Sequence, residues 1–163
     1  MLRSATVWGL LVCGVSLRAH DPGLSTTQLT VATNGLNVTI GYSPADLRPL
    51  LGAKAKNASD WNAADFSAME PQLRLLAPQF WKIASKGALV PPDAVREELT
   101  ASNTVSFELH YALPLSGLVT IESGVMDRLP PGHRDFLSAA DENGGVVLER
   151  LVDAESGKIA LRH

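Results

Sequence analysis

The chain offers few residues that can do metal or nucleophilic chemistry. There are four histidines, His20, His110, His133 and His163, and a single cysteine, Cys13. His20 has the richest potential. Cleavage after Ala19 would leave a free amine beside its imidazole, and two nitrogen donors of this kind suit copper or nickel. Such a site would call for one or two more ligands, which His110 and His133 could supply. No His-x-His or His-x-x-x-His spacing joins these residues, so only the fold could bring them together. Cys13 lies inside an apolar run and follows Val12, where a lipid-acceptor cysteine needs a small residue, so lipidation is not expected. A chain starting at His20 has no cysteine. That excludes a disulfide scaffold, cysteine-based zinc sites and a thiol nucleophile.

Other motifs are weaker. Residues 53–65 are placed like an EF-hand loop between two short helices. With Asp65 at the twelfth position, however, Lys54, Lys56 and Ala58 occupy places that need carboxylates, and Ser59 sits where glycine is required. The loop is degenerate, and calcium is not expected. No Gly-x-Ser-x-Gly elbow is present, and a Ser–His–Asp set could be drawn from too many serines to mean anything by composition. The pairs Glu97-Glu98 and Asp141-Glu142 read as solvated surface. The most distinctive string is Leu129-Pro130-Pro131-Gly132-His133-Arg134-Asp135. Pro130, Pro131 and Gly132 stiffen it, and Arg134 with Asp135 can anchor it to neighbouring strands. Residues 130–134, with His133 and Arg134 at their end, are therefore a candidate binding loop or a rigid crossover between sheets.

The first nineteen residues read as a secretory signal peptide. Arg3 precedes an apolar run from Ala5 to Leu17, and Arg18-Ala19 closes it. At about thirteen residues the run is too short to span a bilayer. The mature chain is expected to begin at His20, to number about 144 residues, to form one domain and to reside in the periplasm or outside the cell. Net charge is −3; removing Arg3 and Arg18 from 14 basic residues, against 17 acidic ones, takes it to −5. With no basic footprint, nucleic acid is not an expected partner. No later apolar stretch is long enough to cross a membrane.

Positioning these residues falls mainly to strands. Thr26–Thr33 and Leu36–Tyr42 flank Asn34-Gly35 and predict a β-hairpin. Ser43-Pro44 predicts a helix start. Asn62-Ala63-Ala64-Asp65 predicts a capping box opening a helix over 63–77, with Pro71 as kink or boundary. Period-two patterning then predicts strands near 79–84, 87–90, 94–100, 103–113, 118–123, 136–140, 146–152 and 158–161. The expected fold is an immunoglobulin-like antiparallel β-sandwich with a helical insert around residues 44–77.

Several of these pieces together resemble the extracytoplasmic N-terminal domain of HupE/UreJ-type bacterial membrane proteins. The carrying residues are Ala19-His20-Asp21-Pro22-Gly23-Leu24-Ser25, Gly35-Leu36-Asn37-Val38-Thr39, Asp65-Phe66 and Leu129-Pro130-Pro131-Gly132-His133-Arg134. The resemblance implies a link to hydrogenase or urease accessory roles and to nickel or cobalt handling, mostly through membrane helices. This chain lacks those helices, and Lys54, Lys56 and Ala58 replace an acidic loop, so neither transport nor calcium carries over. The expectation is an exported, non-enzymatic binding domain that works with a membrane protein. The alternative is a periplasmic copper- or nickel-delivery protein using His20.

Overall fold

A computed structural model describes residues 23–52, 59–113 and 117–162. The signal segment, His20, and Lys54, Lys56 and Ala58 lie outside the described residues.

Alternating residues build the expected first hairpin, with its turn at Thr33-Asn34, one residue before the expected Asn34-Gly35, so that Gly35 pairs with Ala32. Strands β1 (Leu24–Ala32) and β2 (Gly35–Tyr42) pair antiparallel, with Leu29 opposite Val38 and Val31 opposite Leu36. These four are buried, whereas Thr26, Gln28, Thr30, Asn37 and Thr39 face out. Ser43 then caps α1 (Pro44–Leu51): its side-chain oxygen accepts from the Asp46 N–H at 3.2 Å, and Pro44 occupies the first turn, where no N–H is needed. Asn62 caps α2 (Ala63–Phe80). Its carboxamide oxygen accepts from Ala64 and Asp65, and the Asp65 carboxylate accepts in return from the Asn62 N–H at 3.3 Å.

Helix α2 does not stop at Pro71. It runs through Pro71 and Pro78 to Phe80. Both prolines are exposed, so the carbonyls they leave without a donor lie on the solvent side. The opposite side is held by buried Met69, Leu73, Leu76, Ala77 and Phe80, and this packing outweighs the proline penalty. Gln79 and Phe80, expected in a strand, instead complete the helix.

The remaining strands are β3 (Trp81–Ser85), β4 (Ala88–Val90), β5 (Ala94–Leu99), β6 (Val105–Tyr111), β7 (Leu118–Ser123), β8 (Arg134–Asp141), β9 (Val146–Val152) and β10 (Ile159–Arg162). They form two sheets, ordered β5-β6-β2-β1-β8-β9 and β10-β7-β3-β4. The sheets enclose one core, with Leu29, Leu36, Ile40 and Phe107 from the first meeting Ile83 and Ile121 from the second. The result is a β-sandwich-like fold, with one departure from a purely antiparallel pattern: β1 and β8 run parallel. A parallel neighbour needs a crossover rather than a hairpin. The chain between β1 and β8 supplies it, and residues 124–133 form its last leg, from β7 in one sheet to β8 in the other.

The junction between α2 and β3 is tightly built. Phe80 stacks on Tyr42 and meets the edge of Phe107, each with ring centroids 4.8 Å apart. The Phe80 carbonyl accepts from the Gly124 N–H at 2.9 Å. A Cβ on Gly124 would lie 2.2 Å from the Gln79 carbonyl oxygen, so only glycine permits this approach. Helix α2 also covers β5, where Arg74 contacts Glu97 at 2.7 Å. The Glu97 side chain is fully buried, unlike that of Glu98. The expectation of a solvated pair therefore fails at Glu97, because a helix distant in sequence lies over it. The Asp141-Glu142 pair does sit in a turn, where Asp141 accepts from the Asn143 and Gly145 N–H groups.

Candidate functional site

The crossover loop brings one histidine into the core. The His133 N–H closes a turn onto the Pro130 carbonyl at 3.0 Å, and the Arg134 N–H reaches the Gly23 carbonyl at 2.9 Å. Gly132 makes the bend with φ 83°, a conformation open to glycine at little cost. Pro130, Pro131, Gly132 and Arg134 stay exposed, while His133 turns inward and is 4% exposed.

Around His133 lies a continuous buried polar network. Its Nε2 is 3.0 Å from Ser25 Oγ, and its Nδ1 is 3.5 Å from Asp46 Oδ1. Ser25 Oγ donates to Asp135 Oδ2 at 2.6 Å, and Thr27 Oγ1 donates to the same oxygen at 3.1 Å. Trp81 Nε1 donates to Thr27 at 3.0 Å, and Ser43 Oγ donates to Asp46 Oδ2 at 2.6 Å. The Tyr42 ring stacks over His133 at 5.9 Å. Ser25 has one proton, and the short contact commits it to Asp135. Ser25 therefore accepts from His133, which places a hydrogen on Nε2.

Ser25, His133 and Asp46 thus stand in the order of a nucleophile, base and orienting carboxylate. Two observations argue against catalysis by this set. Ser25 has no exposed surface, and its proton is directed to Asp135 rather than to the imidazole. The groove in front of the loop, about 470 Å³, is lined by Pro130, Pro131, His133, Arg134, Asp127 and Glu155 among others, but not by Ser25 or Asp46. The arrangement is a clamp that ties α1, β1, β3, β8 and the crossover loop together at one end of the sandwich.

The two aspartates are tuned in opposite directions. At Asp46, burial pushes the carboxyl up, but hydrogen bonds from His133 and Ser43, the His133 charge and the Gly23 N–H outweigh it, and the group is held below the usual range. At Asp135, burial dominates, and Ser25, Thr27 and His133 offset only part of it, so the group is raised. The stabilisation linked to Asp46 is therefore present above the ordinary aspartate range and lost as pH falls through its lowered value. That linked to Asp135 is present below the ordinary range and lost as pH rises through its raised value. Asp46→Asn is expected to cost about 2 kcal/mol at neutral pH, with the deficit shrinking in acid. Relative to the parent chain, Asp135→Asn is expected to improve as pH rises. Urea midpoints between pH 2 and 7 check both. Two flat profiles would show that neither carboxylate carries the charge assigned to it.

The other sequence candidates lie elsewhere. His110 is on β6, on the outer face of the six-stranded sheet, with Nδ1 2.8 Å from Asn37 Oδ1. Its ladder row passes through Asn37, Thr30 and Ala140, whereas His133 meets Ser25, five residues from Thr30 along β1 and on the buried face. Five strand residues span roughly 17 Å. His110 and His133 therefore cannot share one ion, because the sheet separates them. Among the described residues, no three His, Asp or Glu side chains converge as a metal cage. Asp65 is spent on the α2 cap rather than on a calcium loop.

Sequence reasoning missed Ser25 and Asp46 as neighbours of His133, and Thr27 and Asp135 as the groups that extend the network. A signal was present. Ser25 and Thr27 share the parity of buried Leu29 and Val31, and Asp135 that of Leu137 and Ala139, so each is a polar residue on an apolar face.

A second feature lies at the margin of the six-stranded sheet. Phe136 and Leu151 are cross-strand neighbours on its outer face, 43% and 46% exposed, and Val146 and Val147 follow on β9 at 67% and 49%. Among the described residues, β9 pairs only with β8.

Neither a protein-family model nor a curated protein sequence matches the chain.

Proposed function

We propose that this chain is an exported interaction domain that binds a membrane protein outside the cytoplasm, as the HupE/UreJ-type resemblance of its motifs suggests. The observation that carries the reading is the apolar margin formed by Phe136, Val146, Val147 and Leu151. Large apolar side chains grouped on one exposed margin mark interaction surfaces, whereas scattered ones do not. The buried clamp supports the same reading by holding the start of β8, and hence Phe136, in place through Asp135. No helix among the described residues is long and apolar enough to cross a membrane. An encounter with a membrane protein therefore falls to a surface of this kind.

The test is in-cell photocrosslinking of the full chain, expressed with its own residues 1–19 and carrying a benzophenone amino acid at Leu151. The expected result is a released protein whose mass starts at His20, together with an adduct to one integral membrane polypeptide. The same probe at Thr39, on the polar centre of the sheet face, should give none. A protein retained in the cytoplasm, or equal adducts from both positions, would sink the proposal.

A further inference from the structure

The two margins of the six-stranded sheet are built differently. At β5, charged Arg96, Glu97 and Glu98 line the strand, and α2 lies over it through the Arg74–Glu97 pair. This is how edge strands are ordinarily protected. At β9, no described element covers the edge, and its residues read Val-Val-Leu-Glu-Arg-Leu-Val. Leu151 and Glu149 sit opposite Phe136 and Ser138 on the outer face, while Leu148 and Arg150 sit opposite buried Ala139 and Leu137 on the inner one. Glu149 and Arg150 are both exposed. Half the backbone N–H and C=O groups of an edge strand point away from its only partner.

A second copy of β9 does not complement this edge. In an antiparallel pair, opposed residues share one face, and Glu149 and Arg150 face opposite ways, so no symmetric register sets one against the other. Centring the pair on residue 149 or 150 opposes like charges. Centring it on residue 148 sets Glu149 and Arg150 against the apolar Val147–Val146 stretch, where β9 is bulged opposite β8. The complement is a different strand, with a basic residue opposite Glu149, an acidic residue opposite Arg150 and apolar residues on either side.

We infer that β9 is the docking edge for an extended segment of the partner protein, which adds as an antiparallel seventh strand reading apolar-apolar-acidic-basic-apolar-apolar. This inference rests on the proposed interaction role and specifies how the contact is made. Main-chain hydrogen bonds supply the attachment, and the alternating side chains supply the selectivity.

The probe is the synthetic peptide Thr-Val-Ile-Glu-Lys-Val-Ile-Thr, added to the isotope-labelled chain. The expected result is slowed amide hydrogen exchange confined to residues 146–152. Glu149→Lys is expected to weaken binding about fivefold, the scale of one reversed cross-strand pair. A peptide with Glu in place of its Lys should recover that loss on the Glu149→Lys chain. Because Glu149 is exposed, the variant is expected to fold like the parent. Binding without β9 protection, or with no response to the charge exchange, would overturn strand addition. A Leu151 crosslink to a membrane polypeptide alongside a failed peptide test would leave the interaction role standing and discard this mode of contact. Failure of both would remove both.

Discussion

Replacing His133 by leucine is expected to lower the unfolding free energy at neutral pH by about 3 kcal/mol, the scale of stranding the buried polar groups it touches. The imidazole lies between Asp46 on α1 and Ser25 on β1 and touches both. Leucine fills similar space but offers no donor. It leaves Asp46 Oδ1 buried without the imidazole beside it, and it removes one of the groups offsetting the burial of Asp135. A double variant, Asp46→Leu with His133→Leu, is expected to recover part of the loss, because removing both members leaves no stranded charge. Urea unfolding followed by circular dichroism measures both. A loss below about 1 kcal/mol in the single variant would mean that the network fills space without organising this end of the sandwich.

Phe80→Ala is expected to cost a similar amount, about 3–5 kcal/mol, by opening a cavity where three elements meet. The ring is 1% exposed and lies between Tyr42 of β2 and Phe107 of β6, while its carbonyl holds Gly124 at the end of β7. Leu75, five residues earlier on the same helix, is 74% exposed. Leu75→Ala is expected to change stability by no more than about 0.5 kcal/mol. The difference between the two denaturation midpoints isolates the junction from the general effect of shortening a helical side chain. Equal losses would show that α2 is not anchored at Phe80.

Much of the secondary structure was legible because its causes are local. The first hairpin, the Ser43-Pro44 start and the Asn62–Asp65 capping box each depend on residues within four positions of one another, and each forms, although the hairpin turns at Thr33-Asn34 and Gly35 already pairs with Ala32. Strand spans from β4 to β10 follow the period of two closely for the same reason. The helix over 63–77 was legible past Pro71 from the spacing of Phe66, Met69, Leu73 and Leu76, whereas its extension through Pro78 to Phe80 was not, since burial of Phe80 against Tyr42 and Phe107 decides it. Nor was the clamp. Ser25 meets Asp135 across 110 positions and His133 across 108. Polar residues on the buried parity of β1 and β8 marked that partners were needed, without saying which.

From sequence alone came the residue types and the local geometry: a stiff Pro-Pro-Gly-His-Arg loop and a mostly β chain with two capped helices. These follow from backbone sterics and short-range hydrogen bonds, which a linear string states directly. Tertiary structure decided that His133 turns inward to Asp46 and Ser25, that His110 stands on the other side of the sheet, and that β9 lies at an uncovered margin while β5 lies beneath a helix. Each of these depends on the order in which strands join a sheet. That order is chosen by how the whole core closes and by the single parallel crossover beside β1, a choice that no stretch of the chain contains by itself.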